Sequence, residues 1–99
     1  MNQLLCEAIK QKRIVTFYYK GLFRIVEPYT YGVHKDTGNE VLSAYQIGGH
    51  SSSGKSPYWR LFIVPQMSNI NLTGDSFFKM RNGYEMNDSR MSTIYCQVL

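Results

Sequence analysis

Cysteine and histidine occur only twice each in this chain, and no apolar run is longer than a few residues. Runs that short exclude a membrane-spanning helix, which needs about 20 predominantly apolar residues. Asn2, Gln3 and Glu7 surround Leu4 and Leu5 at the start, so the apolar centre of a secretory signal is missing as well, and a cytoplasmic protein is expected. Cys6 and Cys96 stand at opposite ends of the sequence. In a reducing compartment two such thiols read as unpaired small hydrophobes rather than a structural disulfide. His34 and His50 are not in ligand spacing with either cysteine, so no zinc site is expected. The nucleophile motif G-x-S-x-G is absent, and Glu27, Asp36 and Glu40 form no recognisable acid–base pair. The expectation is a binding protein without cofactor or catalytic residues.

Against these absences stand 43% apolar and 14% aromatic residues in a chain of 99, enough for one ordered domain with one core. Eleven Lys and Arg face seven Asp and Glu, for a net charge of +4. That balance favours an anionic partner without identifying one. Lys10, Lys12, Arg13, Lys20 and Arg24 cluster early, while Lys55, Arg60, Lys79, Arg81 and Arg90 are spread through the second half. Any one of them taken alone is by default a solvated surface charge.

Leu4, Leu5, Ala8 and Ile9 fall at helical spacing, with Glu7, Lys10 and Lys12 opposite, which predicts an amphipathic helix over 2–12. From Ile14 the period becomes two: Val15, Phe17 and Tyr19 share one face of a strand, and Thr16, Tyr18 and Lys20 the other. Lys20-Gly21 closes a hairpin. A second strand is expected over 23–29, with Pro28 near its end where a missing N–H is tolerable, and a third over 30–34. The turn cluster 35–39 precedes a strand over 40–47. A glycine- and serine-rich loop, 48–57, separates that strand from two more, over 58–64 and 67–72. Short strands, tight turns and one leading helix suggest a small closed barrel, because closure removes unpaired edges. Beyond Thr73 the pattern weakens. Phe77-Phe78 suits a short helix, 82–90 is polar, and 92–98 is a last apolar segment able to pair with the barrel or with another chain. There is no internal repeat.

Gly49-His50-Ser51-Ser52-Ser53-Gly54-Lys55-Ser56 fits the phosphate-loop pattern G-x-x-x-x-G-K-[ST]. That chemistry needs a helix beginning at Lys-Ser, so that amides and dipole face the phosphates, yet Pro57-Tyr58-Trp59 opens a strand. Nucleotide hydrolysis is therefore not expected, although the loop amides, the Ser hydroxyls and Lys55 remain candidates for contacting an anion. Arg24 and Arg60 are the side chains to single out. Each lies inside a β segment among bulky apolar neighbours and must find a carboxylate, an aromatic face or a ligand anion. Glu27 and Glu40 are the internal alternatives. Tyr18, Tyr19, Tyr45 and Trp59 are open to two readings, as core or as stacking platforms.

A leading helix with Ala8-Ile9, then 14–19, Arg24-Ile25-Val26-Glu27-Pro28-Tyr29, Val41-Leu42-Ser43-Ala44-Tyr45, Trp59-Arg60-Leu61-Phe62 and a closing Phe77 together resemble the WYL domain. The likeness spans residues 4–78, and the tail from Asn82-Gly83-Tyr84 onward is similar to that of short stand-alone WYL proteins. The resemblance implies a mainly β fold: a small Sm-like, SH3-type β-barrel over 1–78 with one N-terminal helix, and a C-terminal extension over 79–99. It further implies a ligand-sensing module of bacterial transcription regulators and phage-defence proteins, whose ligands are nucleic acids or nucleotides. By position, Tyr19, Arg24, Tyr45 and Arg60 fall in the ligand groove of such proteins, with His50, Ser51, Ser52 and Lys55 in the neighbouring loop.

Two functions follow as expectations. One is a regulatory module that recognises single-stranded nucleic acid or a nucleotide through those residues. It has no helix-turn-helix segment with which to read a duplex. The other is an SH3-like protein-interaction or dimerisation module without such a ligand, with 92–98 as the strand it would donate.

Overall fold

The computed structural model describes residues 1–51 and 57–99, so Ser52 and Lys55, two of the loop candidates, lie outside the described residues. Helix α1, Gln3–Gln11, begins where the Asn2 side chain accepts from the Leu5 N–H at 3.2 Å and ends at Lys12, which adopts a left-handed conformation (φ 53°). Capping of this kind satisfies backbone groups that the helix itself leaves unpaired. Leu5, Ala8 and Ile9 form its buried stripe.

Six strands follow: β1 Arg13–Tyr19, β2 Leu22–His34, β3 Glu40–Gly49, β4 Tyr58–Ile63, β5 Met67–Ser76 and β6 Met91–Gln97. They make one antiparallel sheet in the order β4-β3-β2-β1-β5, with β6 joined to β2. Among the described residues the sheet is open, with no ladder between β4 and β5. The β1–β2 turn at Lys20-Gly21 has both residues at positive φ, 53° and 74°, the twist that matches a two-residue hairpin.

The separate strands expected over 23–29 and 30–34 are a single strand, β2. Pro28, without an N–H, sits where the β2–β3 register shifts between Pro28 and Thr30, so a bulge absorbs the missing donor and the strand continues. β3 runs along one edge of β2. On the other edge, residues 22–26 pair with β1 and residues 30–34 with β6. β5 is also longer than its pattern indicates, reaching Ser76, because Thr73 Oγ1 donates to the Ile14 carbonyl and Arg13 donates to the Thr73 carbonyl. Phe77-Phe78 is not a helix: the Phe77 N–H bonds the Lys12 carbonyl at 2.9 Å and its ring is buried, while Phe78 is exposed.

Val15, Phe17, Tyr19, Val26, Leu42, Ala44 and Phe62 build the core on one face of the sheet, with the α1 stripe against it. The opposite face is covered by the segment after β5. Phe77, Tyr84 and Trp59 gather around Tyr29 with ring centroids 4.9 to 5.2 Å apart. No described helix is long and apolar enough to cross a membrane.

The expectation of two unpaired thiols is overturned. Cys6 and Cys96 form a disulfide with their Cα atoms 5.5 Å apart. β6 returns to the end of β2 beside α1, and this long-range pairing, invisible in the spacing, brings the two sulfurs together.

A candidate anion-binding site between Arg24 and Arg60

Alternation along β2 turns Arg24 to the same face as Val26, opposite Phe17 of β1, and leaves it 3% exposed. Its guanidinium lies 5.5 Å from the Tyr19 ring and 5.7 Å from that of Phe62. Nη2 donates to the Tyr19 carbonyl at 3.2 Å and Nη1 to Gln46 Oε1 at 3.3 Å, while the buried Nε has no acceptor among the described residues. Two aromatic faces and two neutral oxygens are poor compensation for a desolvated cation.

Neither carboxylate proposed as an internal partner reaches it. Glu27, 4% exposed, receives both Arg81 donors at 2.9 Å and the Tyr29 hydroxyl, and Glu40 accepts from Tyr31. Burial holds the Arg24 guanidinium below its ordinary pKa, and the like charge of Arg60 lowers it further.

Arg60 comes from β4, opposite Ala44 of β3, two residues before the core ring Phe62. Its Nη2 donates to Ser51 Oγ at 2.9 Å, and its guanidinium lies 5.7 Å from the Tyr58 ring. Gln46 closes this end of the sheet. Its Nε2 donates to the carbonyls of Gly48 and His50, both at 3.0 Å, which aims Oε1 at Arg24. The His50 N–H bonds the Phe23 carbonyl at 2.8 Å, so the first residues of the loop are held against the start of β2.

Of the residues singled out in the sequence, Tyr19, Arg24, Arg60 and Ser51 meet here, with the His50 backbone adjoining. Tyr19 is buried rather than offered as a stacking surface, and its hydroxyl accepts from the Ile63 N–H at 3.1 Å. Tyr45 does not join them. It alternates with the buried Ala44 and Gln46, so its ring lies on the other face, 5.4 Å from Trp59 and 4.8 Å from the Arg81 guanidinium. The residues that sequence reasoning missed are Gln46, Phe62 and Tyr58. Gln46 carries a signal in retrospect, being a polar side chain at a core-facing position two residues after Ala44.

A cavity of about 360 Å³ between β3, β4 and the segment 83–90 is bordered by Ser43, Trp59, Arg60, Tyr84, Asp88 and Arg90. Of its charged lining residues, Arg90 and Asp88 engage each other in a bidentate pair, and Arg90 also donates to Ser43. Asp88 is accordingly held below the usual carboxylate range, chiefly by its hydrogen bond from Arg90. Among the described residues no group of three or more His, Cys, Asp or Glu side chains is placed to hold a metal.

Comparison of the chain with known protein families, with curated proteins and with solved structures finds no match.

Proposed function

We propose that this protein is a ligand-sensing regulatory module that binds single-stranded nucleic acid or a nucleotide, with a phosphate held between Arg24 and Arg60. The observation that carries the reading is Arg24: a guanidinium buried in the core, among the described residues without a carboxylate and with one donor unanswered, and with a second arginine near enough to depress its pKa. A dianionic or monoanionic phosphate arriving there offsets the Arg24 charge and accepts its open donor. Tyr58, half exposed beside Arg60, supplies a ring for a base.

The resemblance to the WYL domain supports the same reading and ties it to transcription regulation or phage defence. The tripeptide that names that family corresponds here to Glu40-Val41-Leu42, so recognition rests on the two arginines rather than on that segment. A barrel of the Sm-like, SH3 type belongs to this proposal. The 3-10 turn Val64–Gln66 carries the chain from β4 directly into β5, and the Ile63 N–H reaches back to the Tyr19 hydroxyl on β1, two links that support this part of the proposal. The alternative, a protein-interaction module donating 92–98, draws no support from that segment, because β6 is paired with β2 of its own chain.

Fluorescence anisotropy with labelled single-stranded DNA, RNA and a nucleoside triphosphate, at low and at physiological salt, tests the reading. Binding that weakens with salt is expected, as is a loss of about tenfold or more in Arg60→Ala. Arg24→Met should abolish binding while a urea titration shows it folded, since it keeps bulk in the core and removes the desolvated charge. Failure of all three probes to bind at either salt overturns the proposal.

A further inference from the structure

The Cys6–Cys96 bridge is not sealed in the core. Both cysteines are part-exposed, and they line a groove of about 560 Å³ between α1 and β6 together with Lys10, Lys12, Tyr95 and Leu99. Two lysines line this groove, and no Asp or Glu is among its described lining residues.

We propose that the bridge is a thiol-exchange site, opened and closed in the folded protein by a small anionic thiol that the groove admits beside Lys10 and Lys12. One feature chooses the direction of attack. Lys10 follows Cys6 four residues later on the same side of α1, and a nearby ammonium favours a Cys6 thiolate. Cys6 is therefore the better leaving group. The incoming thiolate attacks Cys96 Sγ, the Sγ–Sγ bond breaks, and Cys6 departs as thiolate and takes a proton from water. A second small thiolate then attacks the small-molecule sulfur of the mixed disulfide and releases Cys96 as thiolate. The net change is one protein disulfide and two small thiols to two protein thiols and one small-molecule disulfide, and the reverse reaction closes the bridge.

What the bridge controls follows from its position. It fastens α1 to β6, and β6 with the residue after it holds the far half of β2. The Val98 N–H bonds the Tyr29 carbonyl at 2.9 Å, the Val98 carbonyl accepts from the Tyr84 hydroxyl, and the Tyr95 ring lies 5.1 Å from Tyr31. Opening the bridge removes the one covalent restraint among the described residues on that assembly.

The test is a native-state reduction experiment on the full chain, followed by alkylation and intact mass. Protein oxidised with a small-molecule disulfide is exposed without denaturant to 2-mercaptoethanesulfonate or to cysteamine, and rates are compared per thiolate. The expected result is complete opening in both, about tenfold or more faster with the sulfonate, with the preference lost in Lys10→Gln/Lys12→Gln. Circular dichroism confirms that the double variant is folded. A bridge that never forms, one that opens only in denaturant, or native opening with no preference for the anionic thiol each overturns the proposal.

Discussion

Tyr29 and Tyr31 stand two residues apart on β2 with fully buried rings, and each keeps its hydroxyl beside a carboxylate, Glu27 for the first and Glu40 for the second. Burial is the main reason that both hydroxyls are pushed up to about 12, and the neighbouring carboxylates add to it. In the unfolded chain a tyrosine titrates near pH 10. The folded state thus retains both protons over a range where the unfolded state has released them. Their contribution to stability is complete below about pH 10 and is lost as pH rises toward 12. Urea midpoints measured from pH 8 to 11.5 should be level at first and then fall steeply. Tyr29→Phe/Tyr31→Phe should flatten that fall even if it lowers the plateau. A midpoint that declines equally in the double variant contradicts the assignment.

At the scale of elements, β2 holds the architecture together because it serves three partners, and Gly32 is where the third one fits. A Cβ at Gly32 would collide with the Thr93 carbonyl of β6, a backbone atom that cannot move aside without breaking the ladder. Gly32→Ala is therefore expected to destabilise by about 1 to 3 kcal/mol, the usual range for overpacking. The damage should be concentrated in β6. Amide exchange at residues 91–97 should accelerate far more than in β1, whose pairing with β2 ends at Val26. Uniform acceleration across the sheet would contradict this. The segment between β5 and β6 is fixed differently, by the Arg81–Glu27 pair under the Tyr45 ring and by the Trp59 Nε1–H donating to the Asn82 carbonyl at 2.8 Å. Those contacts place the extension on the outer face, while His50 and Ser51 adjoin Arg24 and Arg60 at the end of β3.

For the molecule as a whole, the disulfide joins residues 90 apart and so restrains nearly the entire unfolded chain. The chain-entropy account of such a crosslink assigns it about 4 to 5 kcal/mol, comparable with the total stability of many small domains. Urea unfolding with and without a phosphine reductant, and of Cys6→Ala/Cys96→Ala, should show a lowered midpoint of similar size in the reduced protein and the variant. Equal stability of the oxidised and reduced forms would contradict that account. A fold of this size, with a radius of gyration of 12.2 Å, has one core, and its charge pattern is asymmetric within that core. Arg81 and Arg90 are matched by carboxylates on the outer face, whereas Arg24 is left with neutral partners on the inner one.

Local pattern was sufficient for α1, for the inward face of β1, for the Lys20-Gly21 turn and for the existence of β3, β4 and β6, because each depends on periodicity or on a residue's own backbone preference. It was sufficient too for singling out Arg24, a cation at an apolar-flanked strand position that the fold buries among neutral partners. It failed where the answer lies in another part of the chain. Whether Pro28 ends a strand or sits in a bulge depends on the register of β3, and whether Tyr45 shares a face with Tyr19 depends on how separate hairpins are phased across β2. Whether Cys6 meets Cys96 depends on where β6 returns. These are long-range pairings, set by the burial of whole faces and the completion of hydrogen-bond ladders, and no window of sequence contains both members of any of them.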